Sequence, residues 1–450
     1  MASQSFVPFR AAYAEDDALF AARWLAHPAR SVAKENEIDG LGQQLIAAIR
    51  DTGHGVGGVE DLLHAYALST PEGLALMVLA EALLRVPDHL TAEKLIEDKL
   101  GQGDFLHHDS PAGPLMVQAS AWALGLSARM IRPGETPDGL MSQLGKRIGL
   151  PALRMAVRQA MRLLGQHFVL GQSIDEALSR ADSAEGRMFR YSYDMLGEGA
   201  RNLEDASHYR ASYHAAIQAI GKAAGGKPLP DRPGISVKLS ALHPRYEATA
   251  HAQVMAELCP IVLDLARAAK AHDLNFTIDA EEADRLELSL DVIGTVFADP
   301  SLAGWSGFGL AIQAYQKRAM AVIDWCDALA QRLDRTMMVR LVKGAYWDTE
   351  VKRAQERGLA DFPVFTRKAM TDLAYEACAR RLLAARPRLY PQFATHNALT
   401  VATVLTDAGG YDGFEFQRLH GMGDTLYRHL LTLHPQLTCR TYAPVGGYRD

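Results

Sequence analysis

The chain has 450 residues, 48% of them hydrophobic and 22% charged, with a formal net charge of −6. That length exceeds one ordinary domain, and the composition is that of a soluble globular protein. The acidic balance argues against general nucleic-acid binding, leaving only a local basic patch as a route to it. The four cysteines, Cys259, Cys326, Cys378 and Cys439, are scattered with no CxxC pair. That spacing suggests neither a disulfide framework nor a cysteine-rich zinc site, and fits a reducing cytoplasm.

In chain order, the N-terminus MASQSFVPFR lacks the apolar run of a signal peptide. Residues 1 to about 185 read as helix after helix. Leu41–Ile49 is apolar at helical spacing, and Thr70-Pro71-Glu72 has the cap, proline and acid that open a helix. Gly73–Val86 is the most apolar long stretch, but Glu81 and Arg85 make it too charged, and its length too short, for a membrane span. Arg154, Arg158 and Arg162 form one helical stripe, read as a solvated or intrachain face. Gly53–Gly58 fits G-x-G-x-x-G, yet it follows a helical run and no strand precedes it. It is read as a loop between helices and not as a dinucleotide site.

From about residue 188 the pattern changes. Eight β-rich runs alternate with helical stretches: 190–196, 234–240, 275–280, 307–313, 337–343, 391–396, 414–420 and 439–445. Helices are expected at His251–His272, Glu281–Phe297, Tyr315–Leu333 and Arg367–Leu383, and Gly225–Pro233 is the clearest loop. Eight strand–helix units over roughly 250 residues predict a (β/α)8 barrel, with a doubly wound open sheet as the alternative.

A parallel barrel works at the C-terminal ends of its strands. There the runs carry, in order, Glu198, Lys238, Asp279 with Glu281 and Glu282, Gln313, Arg340 with Lys343 and Trp347, Thr395-His396-Asn397, Gln417-Arg418, and Tyr442. Each has a bland structural role open to it. Glu198 could cap or bridge, Lys238 could snorkel outward, Asp279 could pair with Lys238 or Arg340, and His396 could be a satisfied core histidine. Eight separate structural explanations at one face are less economical than one polar ligand. Lys238, Arg340, Lys343, Arg367 and Lys368 make the constellation cation-rich, which suits a carboxylate, a phosphate or a flavin. No histidine stands near Asp279-Ala280-Glu281, so no metal is expected. No nucleophile elbow supports acyl transfer.

GISVKLSALHPRY, IDAEEADRLELSLD, AIQAYQKR, RLVKGAYWD, FATHNA, LHGMG and YAPVG occur in this order. Together they resemble the proline dehydrogenase part of the bacterial bifunctional family proline utilization A. The resemblance covers the whole barrel. It implies a distorted (β/α)8 barrel at 188–450, preceded by an all-helical region that divides into an arm, 1–60, and an α-helical domain, 61–187. It implies FAD, held noncovalently, and oxidation of L-proline to Δ1-pyrroline-5-carboxylate by hydride transfer to flavin N5, with a quinone as the next acceptor. By resemblance Arg340 lies near N5, and a bound ligand supplies the counter-charge for Arg340 and Lys343. Gln313, Val342, Lys343, Gly344, Ala345 and Trp347 hold the isoalloxazine and its chain. Thr366, Arg367 and Lys368 meet the phosphate and adenosine side, and Thr395 and His396 the flavin's polar chain. Lys238 pairs with the substrate carboxylate, Asp279, Tyr346, Leu419 and Tyr442 shape the proline pocket, and Glu198 lies at its mouth. No DNA-binding segment or nucleic-acid partner is expected, and the family is compatible with a homo-oligomer and peripheral contact at the inner membrane.

The sequence ends at Asp450, directly after the eighth run. The eighth barrel helix and the aldehyde dehydrogenase half of the parent enzyme are therefore expected to be missing here, and Gly447-Tyr448 stand where the family has Ser or Thr then His. Two competing readings remain open at this stage. One is a lyase forming a Schiff base at Lys238 or Lys343. The other is an inactive interaction fragment.

Overall fold

The computed structural model describes residues 8–26, 30–51, 155–156, 165 and 169–447. Two compact units are distinguished: Met1–Thr52 with Ser173–Val445, and Gly53–Gln172 with Gly446–Asp450. The helix cap at Thr70, the apolar stretch Gly73–Val86, the glycine motif at 53–58 and the arginines of the 154–162 stripe lie outside the described residues.

The first unit contains eight parallel strands closed into a barrel in sequential order. They are β1 (Arg190–Met195), β2 (Gly234–Val237), β3 (Asn275–Ile278), β4 (Phe308–Gln313), β5 (Met337–Val342), β6 (Leu389–Ala394), β7 (Glu415–Leu419) and β8 (Cys439–Val445). Each falls on one of the eight expected runs, and β8 pairs with β1 to close the ring.

The first helices among the described residues are α1 (Asp17–Leu25) and α2 (Val32–Asp51). The helices that follow are α3 (Ile174–Ala181), α4 (Leu203–Ala223), the single turn α5 (Leu239–Leu242), α6 (His251–Ala271), α7 (Leu286–Phe297), α8 (Ala319–Leu333), α9 (Trp347–Glu356), α10 (Lys368–Ala384), α11 (Ala398–Ala408) and α12 (Asp424–Leu433). Local chemistry sets several ends. Asp16, Ser173, Asn202 and Asn397 each accept a backbone N–H in the first turn of the helix they cap. Gly409, with φ +65°, ends α11 in the left-handed conformation.

The structure shortens two expected helices. α7 begins at Leu286 and not at Glu281, because Glu281 accepts the Ser240 N–H at 3.0 Å and pairs with Arg285 at 2.7 Å. α8 begins at Ala319 and not at Tyr315, because the backbone of Tyr315 and Gln316 bonds to the strand-like pair Val364-Phe365 instead.

The barrel's apolar residues face out beneath the helices, among them Ile235, Phe276, Leu310, Val339, Phe393 and Phe416, all buried. Its interior is polar. At the N-terminal end, Arg440 and Glu415 are fully buried and joined by contacts of 2.6 and 3.0 Å. Arg190 adds a 3.1 Å contact to the same carboxylate, and Gln392 and Gln417 donate to its Oε1. A buried carboxylate this densely bonded is held below its usual range despite burial, which alone would raise it, because Arg440 and Arg190 favour its charged form.

Candidate active site

At the C-terminal mouth the strand period of two brings polar side chains inward from alternate positions. Arg340, central in β5, reaches across the barrel. Its Nη1 donates to Asp279 Oδ1 at 2.7 Å, its Nε to Gln417 Oε1 at 2.7 Å, and its Nη2 to Ser236 Oγ at 2.9 Å and Ser192 Oγ at 3.2 Å. Every nitrogen of a buried guanidinium is thereby satisfied, which is the condition for burying it at tolerable cost.

Lys238 follows β2 and points inward. Its Nζ donates to both oxygens of Asp194, at 3.0 and 2.9 Å, and lies 3.6 Å from Asp279 Oδ2. Burial works against the ammonium, but Tyr442, Asp194 and Asp279 outweigh it and hold it charged well above its ordinary range. Tyr442 completes the cluster. Its hydroxyl is 2.5 Å from Asp194 Oδ2 and 3.0 Å from Asp279 Oδ2, and Arg340 lies 4.9 Å over its ring. Burial pushes the Asp194 carboxyl up, against the pull of Lys238.

Lys238, Asp279, Arg340 and Tyr442 are therefore one network, as their places in the expected runs suggest. The expectation that a ligand balances Arg340 and Lys343 is corrected. Asp279 balances Arg340, and Lys343, only partly buried, pairs with Asp372 Oδ1 at 2.5 Å. Asp194, Ser192 and Ser236 are absent from the residues singled out in sequence, and Gln417, noted there only as a polar group on the seventh run, joins the network. Ser192 and Asp194 share the inward parity of Tyr442 and Ser236, their register partners on β8 and β2. That parity is the sequence signal for both residues.

The remaining expected residues line the mouth. Gln313, buried at the end of β4, donates to the Glu281 carbonyl at 2.8 Å and accepts from Ala345 N at 3.1 Å. It pins the loop after β5 to the loop after β3. Within that loop Gly344 has φ +146°, and a Cβ there would stand 2.4 Å from the Tyr315 ring. Val342 and Lys343 extend the strand, accepting from Ala314 and Tyr315 through their carbonyls at 2.8 Å. Tyr346 is half-buried, and burial, then the charge of Glu198, raises its phenol. Glu198 itself is exposed and bonds to no described residue. Trp347 donates from its indole to the Phe365 carbonyl at 3.0 Å while 42% of it remains exposed.

Thr366, Arg367 and Lys368 are exposed at the start of α10, where Lys368 shares Asp372 with Lys343. Thr395 is buried, its hydroxyl accepting from Asn397 N at 3.2 Å. His396 accepts from Leu419 N through Nε2 at 2.9 Å, and burial, followed by Arg418, lowers it to about 4. It is a neutral acceptor. Leu419 is partly exposed at the rim. No group of histidine, cysteine, aspartate or glutamate among the described residues is arranged to hold a metal ion. All four cysteines are buried thiols.

A closed parallel barrel with charged side chains converging at its C-terminal mouth has the architecture of a (β/α)8 enzyme. The sequence profile of the family described as proline dehydrogenase matches residues 177–450, more than half of the chain, and the chain belongs to that family. A second profile, described as the DNA-binding domain of proline dehydrogenase, matches residues 58–168, nearly all outside the described ones, and corrects the expectation that no segment of that kind is present.

The chain is 48% identical over 421 residues to the bifunctional protein PutA of Klebsiella aerogenes, covering 91% of this chain and 32% of that protein. It is 46% identical over 413 residues to PutA of Rhizobium meliloti, at 90% and 33% coverage. Among solved structures, Bradyrhizobium japonicum proline utilization A is 64% identical, with a TM-score of 0.76, covering 99% of this chain and 44% of that one. The chain thus corresponds to the proline dehydrogenase part of proline utilization A. It spans about a third of the length of the curated relatives it matches.

Proposed function

We propose that this chain oxidises L-proline to Δ1-pyrroline-5-carboxylate with FAD as its cofactor and a quinone as the next electron acceptor. The observation that supports it best is the pairing of Lys238 and Arg340 with Asp194 and Asp279 around Tyr442 at the barrel mouth. A zwitterionic amino acid presents one carboxylate and one cationic nitrogen. The cluster offers both complementary charges in one desolvated place, with Leu419 and the rings of Tyr346 and Tyr442 to cover ring methylenes.

The residues present also fit a flavin dinucleotide. Lys343 and Lys368 share one carboxylate, Asp372, and the Arg367 guanidinium has no partner among the described residues. That excess positive charge at the start of α10 suits a pyrophosphate. Trp347, Val342 and the Gly344–Ala345 backbone would hold the ring system, with Gln313 fixing the loop and Thr395 and His396 facing the polar chain. FAD, when bound, supplies the two-electron acceptor for the ring oxidation. Lys238 would hold the substrate carboxylate, Asp279 and Tyr442 would orient the ring nitrogen, and Arg340 would keep fixed positive charge beneath the reacting carbon. The aldehyde dehydrogenase half of the parent enzyme is the proposed partner.

A Schiff base is disfavoured by the same geometry, because Lys238 is held charged and chelated by Asp194. The test is direct. The chain, supplied with FAD, L-proline and a soluble quinone, should form an imine trappable by an aromatic amino-aldehyde, and Lys238→Met should lower kcat/KM by 10²-fold or more, an order-of-magnitude expectation for a lost charge contact of about 3 kcal/mol. No trapped imine, or an unaffected Lys238→Met variant, would contradict the assignment.

A further inference from the structure

The segment between α9 and α10 carries Phe365 and leads into Thr366, Arg367 and Lys368, yet it has almost no regular structure. Its one ladder contact is the bridge between Val364 and Gln316. Backbone of this kind takes its position from side-chain packing. That packing comes from the far end of the sequence. Phe20 and Trp24 of α1 lie 5.4 and 5.7 Å from the Phe365 ring, both edge-on, and 5.3 Å from each other. Ala374 and Ala377 of α10 close the same buried cluster. At the start of α1, Asp17 stands 2.8 Å from the Lys317 ammonium, which stands 2.8 Å from Asp361. The Lys317 side chain is 1% exposed, so the two carboxylates are joined through a buried cation. Phe365 in turn accepts the Trp347 indole N–H through its carbonyl and donates its own N–H to Tyr315, the ring that fills the space beside Gly344.

We propose that α1 is a clasp for the cofactor-bearing segment: Asp17, Phe20 and Trp24 hold 361–366 so that Trp347 and Thr366–Lys368 are set to receive a flavin dinucleotide. The proposal rests on the flavin reading above and adds positioning residues more than 300 positions away in sequence. None of the three would touch the cofactor. They act through Phe365 and Lys317. A nine-residue helix does not persist alone, so α1 and the segment order each other.

FAD titration of the full chain, read by quenching of flavin fluorescence, tests this. Phe20→Ala/Trp24→Ala should raise the FAD Kd about tenfold or more, and Asp17→Asn should move it in the same direction by severalfold. Trp24→Phe, which keeps a ring against Phe365, should stay near the parent value. Leu19→Ala, on the exposed face of α1, should leave it unchanged. Leu258→Ala, buried in α6, should lower the melting temperature without moving the Kd, which separates clasping from general stability. Should the double variant fail to fold, Asp17→Asn decides alone. FAD binding equal to the parent in these clasp variants overturns the clasp, as does a Leu258→Ala variant that weakens FAD as much as they do. A parent chain that binds no FAD overturns the flavin reading and the clasp with it.

Discussion

At the scale of single residues, Arg340 is the buried charge around which the mouth is built. Four of its five N–H donors are matched by one carboxylate, two hydroxyls and an amide from four other strands or strand ends. Arg340→Met would leave Asp279 with only Lys238 and Tyr442. Flavin affinity should fall and the potential of bound flavin should drop, measured by equilibrium reduction against a dye; unchanged values would remove Arg340 from the cofactor site. Gly344→Ala forces a side chain into φ +146° against Tyr315, a strain of about 1–3 kcal/mol. FAD Kd should rise by tenfold or more, while wild-type affinity would mean the loop is not part of the site.

His396 yields a pH prediction. Its folded value, about 4, lies below its ordinary 6.5. Between those values the unfolded chain takes up a proton that the folded chain refuses, so stability falls as pH drops from about 6.5 toward about 4. His396→Asn, which keeps an acceptor for Leu419, should flatten that part of a melting-temperature profile; an unchanged slope would contradict the neutral assignment. Much of this scale was legible in sequence, since Lys238, Asp279, Arg340 and Tyr442 all lie within the expected strand runs. What was not legible was who neutralises whom. Asp194 and Asp372 come from distant elements, and only closure of the barrel sets Asp194 against Lys238 and packing sets α10 beside β5.

At the scale of elements, the strands follow from short β-favouring runs and the helices from periodicity and caps. Eight of eight expected runs coincide with strands, because each run is short, apolar outward and bounded by loops. The boundaries that differ, at α7 and α8, are those where tertiary hydrogen bonds capture residues with good helical pattern. The polar interior was harder to read. Glu415 and Arg440 sit in runs whose apolar neighbours suggest an ordinary core, yet the pair is fully buried and ties β7 to β8 and, through Arg190, to β1. Arg440→Leu should cost about 3–5 kcal/mol by stranding Glu415, read as a shift in chemical denaturation. A cost under about 1 kcal/mol would show that Arg190 alone suffices.

At the scale of the whole molecule, the family follows from the barrel and the matched profile, while the chemistry follows from the mouth. The described helices include none long and apolar enough to cross a membrane. A net charge of −6 predicts no retention of duplex DNA at about 0.15 M salt. An electrophoretic shift under those conditions would reverse that and extend the second profile's name to this chain. The curated relatives it matches are named bifunctional, and the chain spans about a third of their length. The most direct measurement is an absorbance spectrum of the purified chain with FAD, taken anaerobically before and after L-proline. A bound-flavin band that bleaches on adding proline is the predicted result. A band that is absent, or that bleaches with dithionite but is indifferent to proline, would contradict the reading of the barrel mouth as a proline-oxidising site.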